Sequence, residues 1–126
     1  MEIGPLVTHS VLSVGPDTSL IETARLMTEH RVGAAVVSTE DGRPGIITER
    51  DLLRAMAEGA DPNVTVVERY MTSTAITASP SWDVDDAARR MLDGGFRHLI
   101  VVGDHGEVEG ILSIRDLVGT LFGSTA

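Results

Sequence analysis

Two stretches of the chain carry a hydroxyl, a guanidinium and a carboxylate at fixed spacing: Thr48, Arg50 and Asp51 in one, Ser113, Arg115 and Asp116 in the other. Each follows a glycine and two aliphatics, Gly45-Ile46-Ile47 or Gly110-Ile111-Leu112, and each is followed by a leucine, Leu52 or Leu117. The chemistry open to such a set is recognition. A helix start with free N–H groups, a hydroxyl and an adjacent arginine suits an anion, and a carboxylate beside it suits ribose hydroxyls. The same residues also answer a simpler need. In a capping box, Thr48 or Ser113 accepts a first-turn amide while the acid three positions on reaches back to the strand. For one copy the cap suffices; recurrence at equivalent places favours a nucleotide-sized set of contacts.

Positioning either set requires a short buried strand that runs into a helix. Residues 11–14 read as a strand, Ser19 and Glu22 as a capping box, and Leu20, Ala24 and Met27 as one face of a helix ending at His30. Residues 32–37 and 44–47 read as a hairpin around Glu40-Asp41-Gly42. A second helix from Glu49 is expected to turn Leu52, Leu53 and Met56 inward and to stop at Gly59. Thr65 and Glu68 again have capping-box spacing, introducing a short helix that ends near Met71-Thr72.

The pattern then restarts. Residues 75–78 form a strand, and Val84, Ala88 and Met91 the inner face of a helix stopped by Gly94-Gly95. Residues 96–102 and 108–112 make a hairpin, and a last helix runs from Arg115 to Phe122 before Gly123 to Ala126 fray. Pro16, Arg25, Met27 and Gly42 recur 64 residues on, whereas Gly45, Arg50 and Asp51 recur 65 on, so the second hairpin holds one extra residue. The expected fold is α/β (α+β): two tandem β-α-β-β-α repeats packed through their sheets about a pseudo-two-fold axis. The division is 1–59 for the first repeat with an N-terminal arm, 60–74 for a linker and short helix, and 75–126 for the second repeat.

Composition closes several alternatives. The 126 residues are 42% hydrophobic but only 3% aromatic, which implies an aliphatic core, and halves of this size are marginal alone. A net charge of −9 argues against a nucleic-acid surface, which needs a basic stripe. All 10 basic residues are arginine. The absence of lysine excludes a Walker-type phosphate loop and a Schiff-base lysine, and the absence of cysteine excludes a thiol nucleophile or cysteine-ligated zinc. No segment reads as a leader or membrane span, so the expected location is cytoplasmic, with no membrane partner. His9, His30 and His105 lack metal-like spacing, and Asp83, Asp85 and Asp86 read as complements to a helix dipole.

The chain resembles a stand-alone pair of cystathionine-β-synthase-type (CBS) domains, the arrangement called a Bateman module. The resemblance rests on Tyr70-Met71-Thr72, on the run from Gly95 through Phe96-Arg97-His98 to Val102, and on both glycine-aliphatic-aliphatic-hydroxyl-X-Arg-Asp-Leu phrases. It departs from the family in Ile100, where proline is frequent, and in Val7-Thr8, where Met-Thr is frequent.

The resemblance implies a non-catalytic regulatory module, with no obligatory cofactor, that binds AMP, ADP, ATP or S-adenosylmethionine between repeats. It gives the ribose to Asp51 and Asp116 and the phosphate to Thr48 and Ser113. Main-chain groups of the opposite repeat would frame the adenine. Asp116, Ser113 and Arg115 would thus work with Thr8, Ser10, Val11, Gly33, Ala34 and Ala35, and Asp51, Thr48 and Arg50 with Thr72, Thr74, Ile76 and the strand after Phe96. Arg97-His98 has Gly33-Ala34 as its counterpart, so the Asp116 pocket is the better anion site. His98 is weighed equally as a phosphate partner and as a strand-edge residue. The expected assembly is a homodimer acting on an unidentified protein target. Two other classes stand beside this reading: a ligand-free dimerisation or protein-interaction module, and an enzyme, for which no nucleophile-base pair is recognisable.

Overall fold

Two turn glycines display the duplication. Gly42 and Gly106 both take positive φ, 80° and 83°, at the tips of hairpins, a conformation open to glycine without a Cβ penalty. A computed structural model describes residues 1–121. Phe122 and the expected fraying of Gly123 to Ala126 lie outside the described residues.

Val11–Ala75 form one unit, here called continuous. Met1–Ser10 together with Ile76–Ala126 form the other, the two-part unit. The continuous unit contains β1 (Ser13–Val14), α1 (Leu20–His30), β2 (Ala34–Val37), β3 (Gly45–Thr48) and α2 (Glu49–Ala57). Its sheet has the order β1-β2-β3, with β1 parallel to β2 and β2 antiparallel to β3, so that Ala34 stands opposite Thr48. The two-part unit contains β4 (Thr77–Ala78), α3 (Val84–Gly94), β5 (His98–Val102), β6 (Val108–Ser113) and α4 (Ile114–Leu121). Its sheet repeats that topology, with His98 opposite Ser113. The chain is therefore an α/β fold of two β-α-β-β-α repeats. The extra residue of the second hairpin is Glu109: Val101 pairs with Gly110 but Val102 with Val108.

Local chemistry sets the helix ends. The Ser19 hydroxyl accepts the Glu22 amide at 3.2 Å, and the Asp83 carboxylate accepts the Asp85 amide at 3.0 Å, with Asp85 and Asp86 complementing the dipole in the first turn. Gly95, at φ 71°, ends α3 with its amide on the Met91 carbonyl at 2.9 Å. Thr65 and Glu68 do not form the expected box. The turn there is a single 3-10 turn at Val67–Arg69, preceded by Val66, which supplies no side-chain cap. Thr65 and Val66 are instead held extended against the start of α1: Leu20 N–H donates to the Thr65 carbonyl at 2.9 Å, and Val66 bridges Ser19.

Each unit has its own core. In the continuous unit Leu12, Val14, Leu20, Met27, Ala35, Val37, Ile47, Ala55, Val67 and Tyr70 pack together. The inward face of α2 is narrower than expected: Ala55 is buried and Leu52 packs on the core, but Leu53 is 66% exposed and Met56 75%. Leu53 and Met56 each follow a core-facing residue by one position, a rotation of about 100° round the helix.

The core of the two-part unit includes Ile3 and Val7 with Val84, Met91, Leu99, Val101, Leu112 and Leu117. The arm, adjacent in sequence to the first repeat, thus packs in the unit of the second. Ile3 is fully buried, worth about 1.5–3 kcal/mol for a side chain of that size, and the Ile3 and Gly4 amides bond the Trp82 and Pro80 carbonyls at 2.9 Å each.

Candidate functional site

Both hydroxyl-Arg-carboxylate sets sit where a strand becomes a helix, and each is joined by a threonine from outside its repeat. In the two-part unit Thr8 exchanges backbone hydrogen bonds with Ile111, Thr8 N–H to the Ile111 carbonyl at 3.0 Å and the reverse at 3.1 Å. Ile111 and Ser113 lie two apart on β6, on one face of the strand. In the continuous unit Thr72 does the same with Ile46, at 2.9 and 3.0 Å, two residues before Thr48. Gly45 and Gly110 permit this approach. A Cβ on Gly45 would stand 2.9 Å from the Thr72 carbonyl, and one on Gly110 would collide with the Thr8 carbonyl. The glycine that opens each phrase therefore makes room for the crossing segment.

At the corner itself the capping box forms twice. Asp116 Oδ2 accepts from the Ser113 amide and hydroxyl, both at 2.9 Å, and the Asp116 amide donates to Ser113 Oγ at 3.2 Å. Thr48 and Asp51 match this at 2.9, 3.1 and 3.4 Å. The first amide of each helix is also committed, Ile114 N–H to the Arg97 carbonyl at 2.8 Å and Glu49 N–H to the Gly33 carbonyl at 3.0 Å. The expectation of free helix-start amides for an anion is thus corrected: two in each first turn are already satisfied. What the cap leaves unused at each corner is one carboxylate oxygen, Oδ1, beside the corner's cations.

Those cations differ between the corners. Arg97 and Arg115 are exposed, and among the described residues neither guanidinium has an acid or hydrogen-bond partner. His98, half-buried, stands opposite Ser113 in the ladder. In the continuous unit Gly33 and Ala34 occupy the equivalent places, and the Glu49 carboxylate lies over Gly33, its Oε1 3.2 Å from where a Cβ would be. Arg50 is exposed like Arg115.

A further residue joins the Asp51 corner. Arg54 donates through Nη2 to the Tyr70 carbonyl at 3.1 Å, approaches Asp51 Oδ1 at 3.5 Å, and stands 5.2 Å from the centre of the Tyr70 ring. The Tyr70 hydroxyl donates to Glu58 Oε1 at 2.9 Å. That bond, then burial, pushes the phenol above its ordinary value. Sequence reasoning passed over Glu49, Arg54 and Glu58. The available signal was a break in the repeat, since Ile114 and Gly119 stand 65 residues beyond Glu49 and Arg54.

Thr8, Ser10, Arg97, His98, Ser113, Arg115 and Asp116 all belong to the two-part unit, as does Ile76, whose carbonyl accepts the Ile100 amide at 3.2 Å. Thr48, Arg50, Asp51, Thr72 and Thr74 belong to the continuous unit, with Val11, Gly33, Ala34 and Ala35. Among the described residues there is no group of three or more His, Asp or Glu placed to hold a metal ion, and no helix long and apolar enough to cross a membrane.

Comparison with known proteins gives the following. The family model for the CBS domain matches residues 3–58 and 67–123. A 17.7 kDa protein of Acidianus ambivalens is 39% identical over 121 residues, covering 95% of this chain and 73% of that protein. The chain spans 61% of the length of a Methanopyrus kandleri relative that is 32% identical. Among solved structures, a CBS domain protein from Pyrobaculum aerophilum complexed with AMP is 32% identical, with a TM-score of 0.85 and 100% of both chains covered. The CBS domain pair of protein MJ0100, in complex with 5′-methylthioadenosine and S-adenosyl-L-methionine, is 27% identical, with a TM-score of 0.85, covering 98% of this chain and 100% of that one.

Proposed function

Since this chain belongs to the CBS domain family, we propose that it is a non-catalytic sensor of an adenosine-containing ligand, held at the corner of Thr8, Ser113 and Asp116. The observation that carries the reading is a carboxylate whose Oδ1 takes no hydrogen bond among the described residues, on an element that also carries Arg115 and beside the strand that follows Arg97, two guanidiniums that no acid of the described residues neutralises. A ribose diol donates to the carboxylate and a phosphate accepts from the guanidiniums, charge-assisted bonds in both directions. In a chain of net charge −9, local cations are what an anionic ligand needs. The Ser113 hydroxyl has one proton, now on Asp116, so it reaches a phosphate by turning away from Oδ2, which keeps the Ser113 amide.

The AMP complex of the relative from Pyrobaculum aerophilum supports this ligand class, and the S-adenosylmethionine complex of the other relative broadens it. The guanidinium pair favours a phosphate over a cationic sulfonium, so AMP, ADP or ATP leads S-adenosylmethionine here. A cytoplasmic sensor acting on a protein target fits this chemistry. A thermal-shift panel of AMP, ADP, ATP, S-adenosylmethionine and a guanine nucleotide tests it. At a hundredfold excess over the dissociation constant, stabilisation of about 2.7 kcal/mol is expected for an adenine nucleotide. No shift with any of them would refute the proposal.

A second reading, a dimerisation module, is favoured by one observation: Leu53 and Met56 stand exposed one helical turn apart on α2. The two readings are compatible, since a sensor also requires a surface through which to act. Sedimentation equilibrium separates them from a monomeric sensor. A homodimer weakened by Leu53→Glu supports the interface, and a monomer at every concentration removes it.

A further inference from the structure

The two corners share a hydroxyl, an arginine and a carboxylate, yet Asp51 is guarded by a further arginine and, among the described residues, Asp116 is not. Arg54 approaches Asp51 Oδ1 at 3.5 Å while it holds the Tyr70 carbonyl at 3.1 Å. At the equivalent position of α4 stands Gly119, and among the described residues nothing beyond its own helix lies within 4 Å of where its Cβ would be. The first contact is long for a hydrogen bond, but it is made by a group anchored elsewhere. The Tyr70 carbonyl and ring fix the guanidinium on one side, and the Tyr70 hydroxyl is itself tied to Glu58 at 2.9 Å. Tyr70 is the second residue before Thr72, whose bonds to Ile46 close the corner. Arg54 therefore links the outward oxygen of Asp51 to the segment that carries the threonine. The Glu49 carboxylate over Gly33 adds a negative charge where the other corner has Arg97.

We propose that Arg54 is a specificity-determining latch: it occupies the outward oxygen of Asp51 and fastens the Tyr70–Thr72 segment, so that the two corners take an adenosine ligand with unequal affinity. A ligand at Asp51 must displace this guanidinium and approach Glu49 with its phosphate, whereas a ligand at Asp116 meets neither. Arg54 acts through Asp51 and Tyr70, which makes it a positioning residue. The inference rests on the adenosine reading for its ligand, but the latch itself exists without one.

The experiment titrates the full chain with AMP and follows backbone amide resonances of Thr48 and Asp51 separately from those of Ser113 and Asp116. Wild type is expected to respond at the Asp116 corner first, the Asp51 corner being weaker by roughly tenfold or more, the scale of one displaced charge-assisted bond. Arg54→Gly, which copies the other repeat, and Arg54→Ala, which keeps a good helix former, both narrow that gap. An unchanged gap overturns the proposal, and so does weaker binding at Asp51 in the variants, which would make Arg54 a ligand contact.

Amide hydrogen exchange of the ligand-free protein gives the second arm. Thr72 should exchange faster in Arg54→Ala while Thr8, its counterpart without an arginine, is unchanged. Equal protection of Thr72 in wild type and variant refutes the latch. If AMP moves neither corner of the wild type, the adenosine reading falls, and the exchange of Thr72 still decides the latch.

Discussion

Ser113 and Asp116 are joined three ways, with hydroxyl and amide of the serine both donating to one carboxylate oxygen at 2.9 Å and the aspartate amide returning to the hydroxyl at 3.2 Å. Oδ2 alone serves the start of α4, and the cap makes no use of Oδ1. On the proposed reading, structural and recognition roles are divided between two atoms of one side chain, and substitutions can separate them. Asp116→Asn keeps an acceptor for the cap but removes the charge that a diol prefers. It should melt within a few tenths of a kcal/mol of wild type, a typical surface effect, and lose the AMP-induced shift. Asp116→Ala should lose the same shift and about 1 kcal/mol of stability with it. Thermal unfolding with and without AMP measures both; a full ligand shift in Asp116→Asn would leave the carboxylate only its cap.

The two phrase glycines should differ in sensitivity. A Cβ on Gly110 would overlap the Thr8 carbonyl, whereas on Gly45 it would stand 2.9 Å from the Thr72 carbonyl. Backbone must move in both cases, further at Gly110. Gly110→Ala should cost about 1–3 kcal/mol or more, at the upper end of overpacking effects, and Gly45→Ala less. Urea unfolding ranks them, and equal stability of the two variants would contradict this account of the arm.

Tyr70 is the only tyrosine, which makes its ionisation readable by ultraviolet absorbance. The Glu58 carboxylate, then burial, raises its phenol above the ordinary value. A raised value in the folded state means that the neutral phenol is favoured there. Its contribution to stability is therefore complete below the unfolded value of about 10 and is lost as pH rises through the folded one. Wild type should titrate above free tyrosine, and Glu58→Ala should bring the midpoint down. Coincident midpoints would mean that the bond does not persist in solution.

Arg97 and Arg115 should control ligand charge. Arg97→Ala is expected to weaken AMP by roughly tenfold, the loss of one charge-assisted bond, while adenosine, which lacks the phosphate, is affected far less. Calorimetric titration of both ligands makes the comparison. An equal loss for AMP and adenosine would assign Arg97 to packing.

Much of this was written locally and could be read so. Ser19, Thr48 and Ser113 start helices because a hydroxyl beside a first-turn amide satisfies it wherever the chain lies. Gly42 and Gly106 turn hairpins because of their own φ. Misreadings arose where the outcome depends on distant chain. Met56 has helical spacing with both Leu52 and Leu53, and periodicity alone does not say which of two adjacent stripes meets the core. Thr65 and Glu68 have the residues of a box, but their backbone is engaged by Leu20 and Ser19. At the site, the hydroxyl, arginine and carboxylate were legible as a doubled phrase. Arg54 was not, because its partner Tyr70 lies 16 residues away and only the mismatch with Gly119 marks it.

The arm at Met1–Ser10 packs with chain from Ile76 onward, while Val11–Ala75 is one unbroken stretch. During synthesis on a ribosome, all of the chain of the continuous unit is available once Ala75 has left the exit tunnel. Ile3 and Val7 precede that unit in the chain, yet the Leu112 and Leu117 they pack with come only with β6 and α4. For this arm the order of closure is thereby opposite to the order of translation.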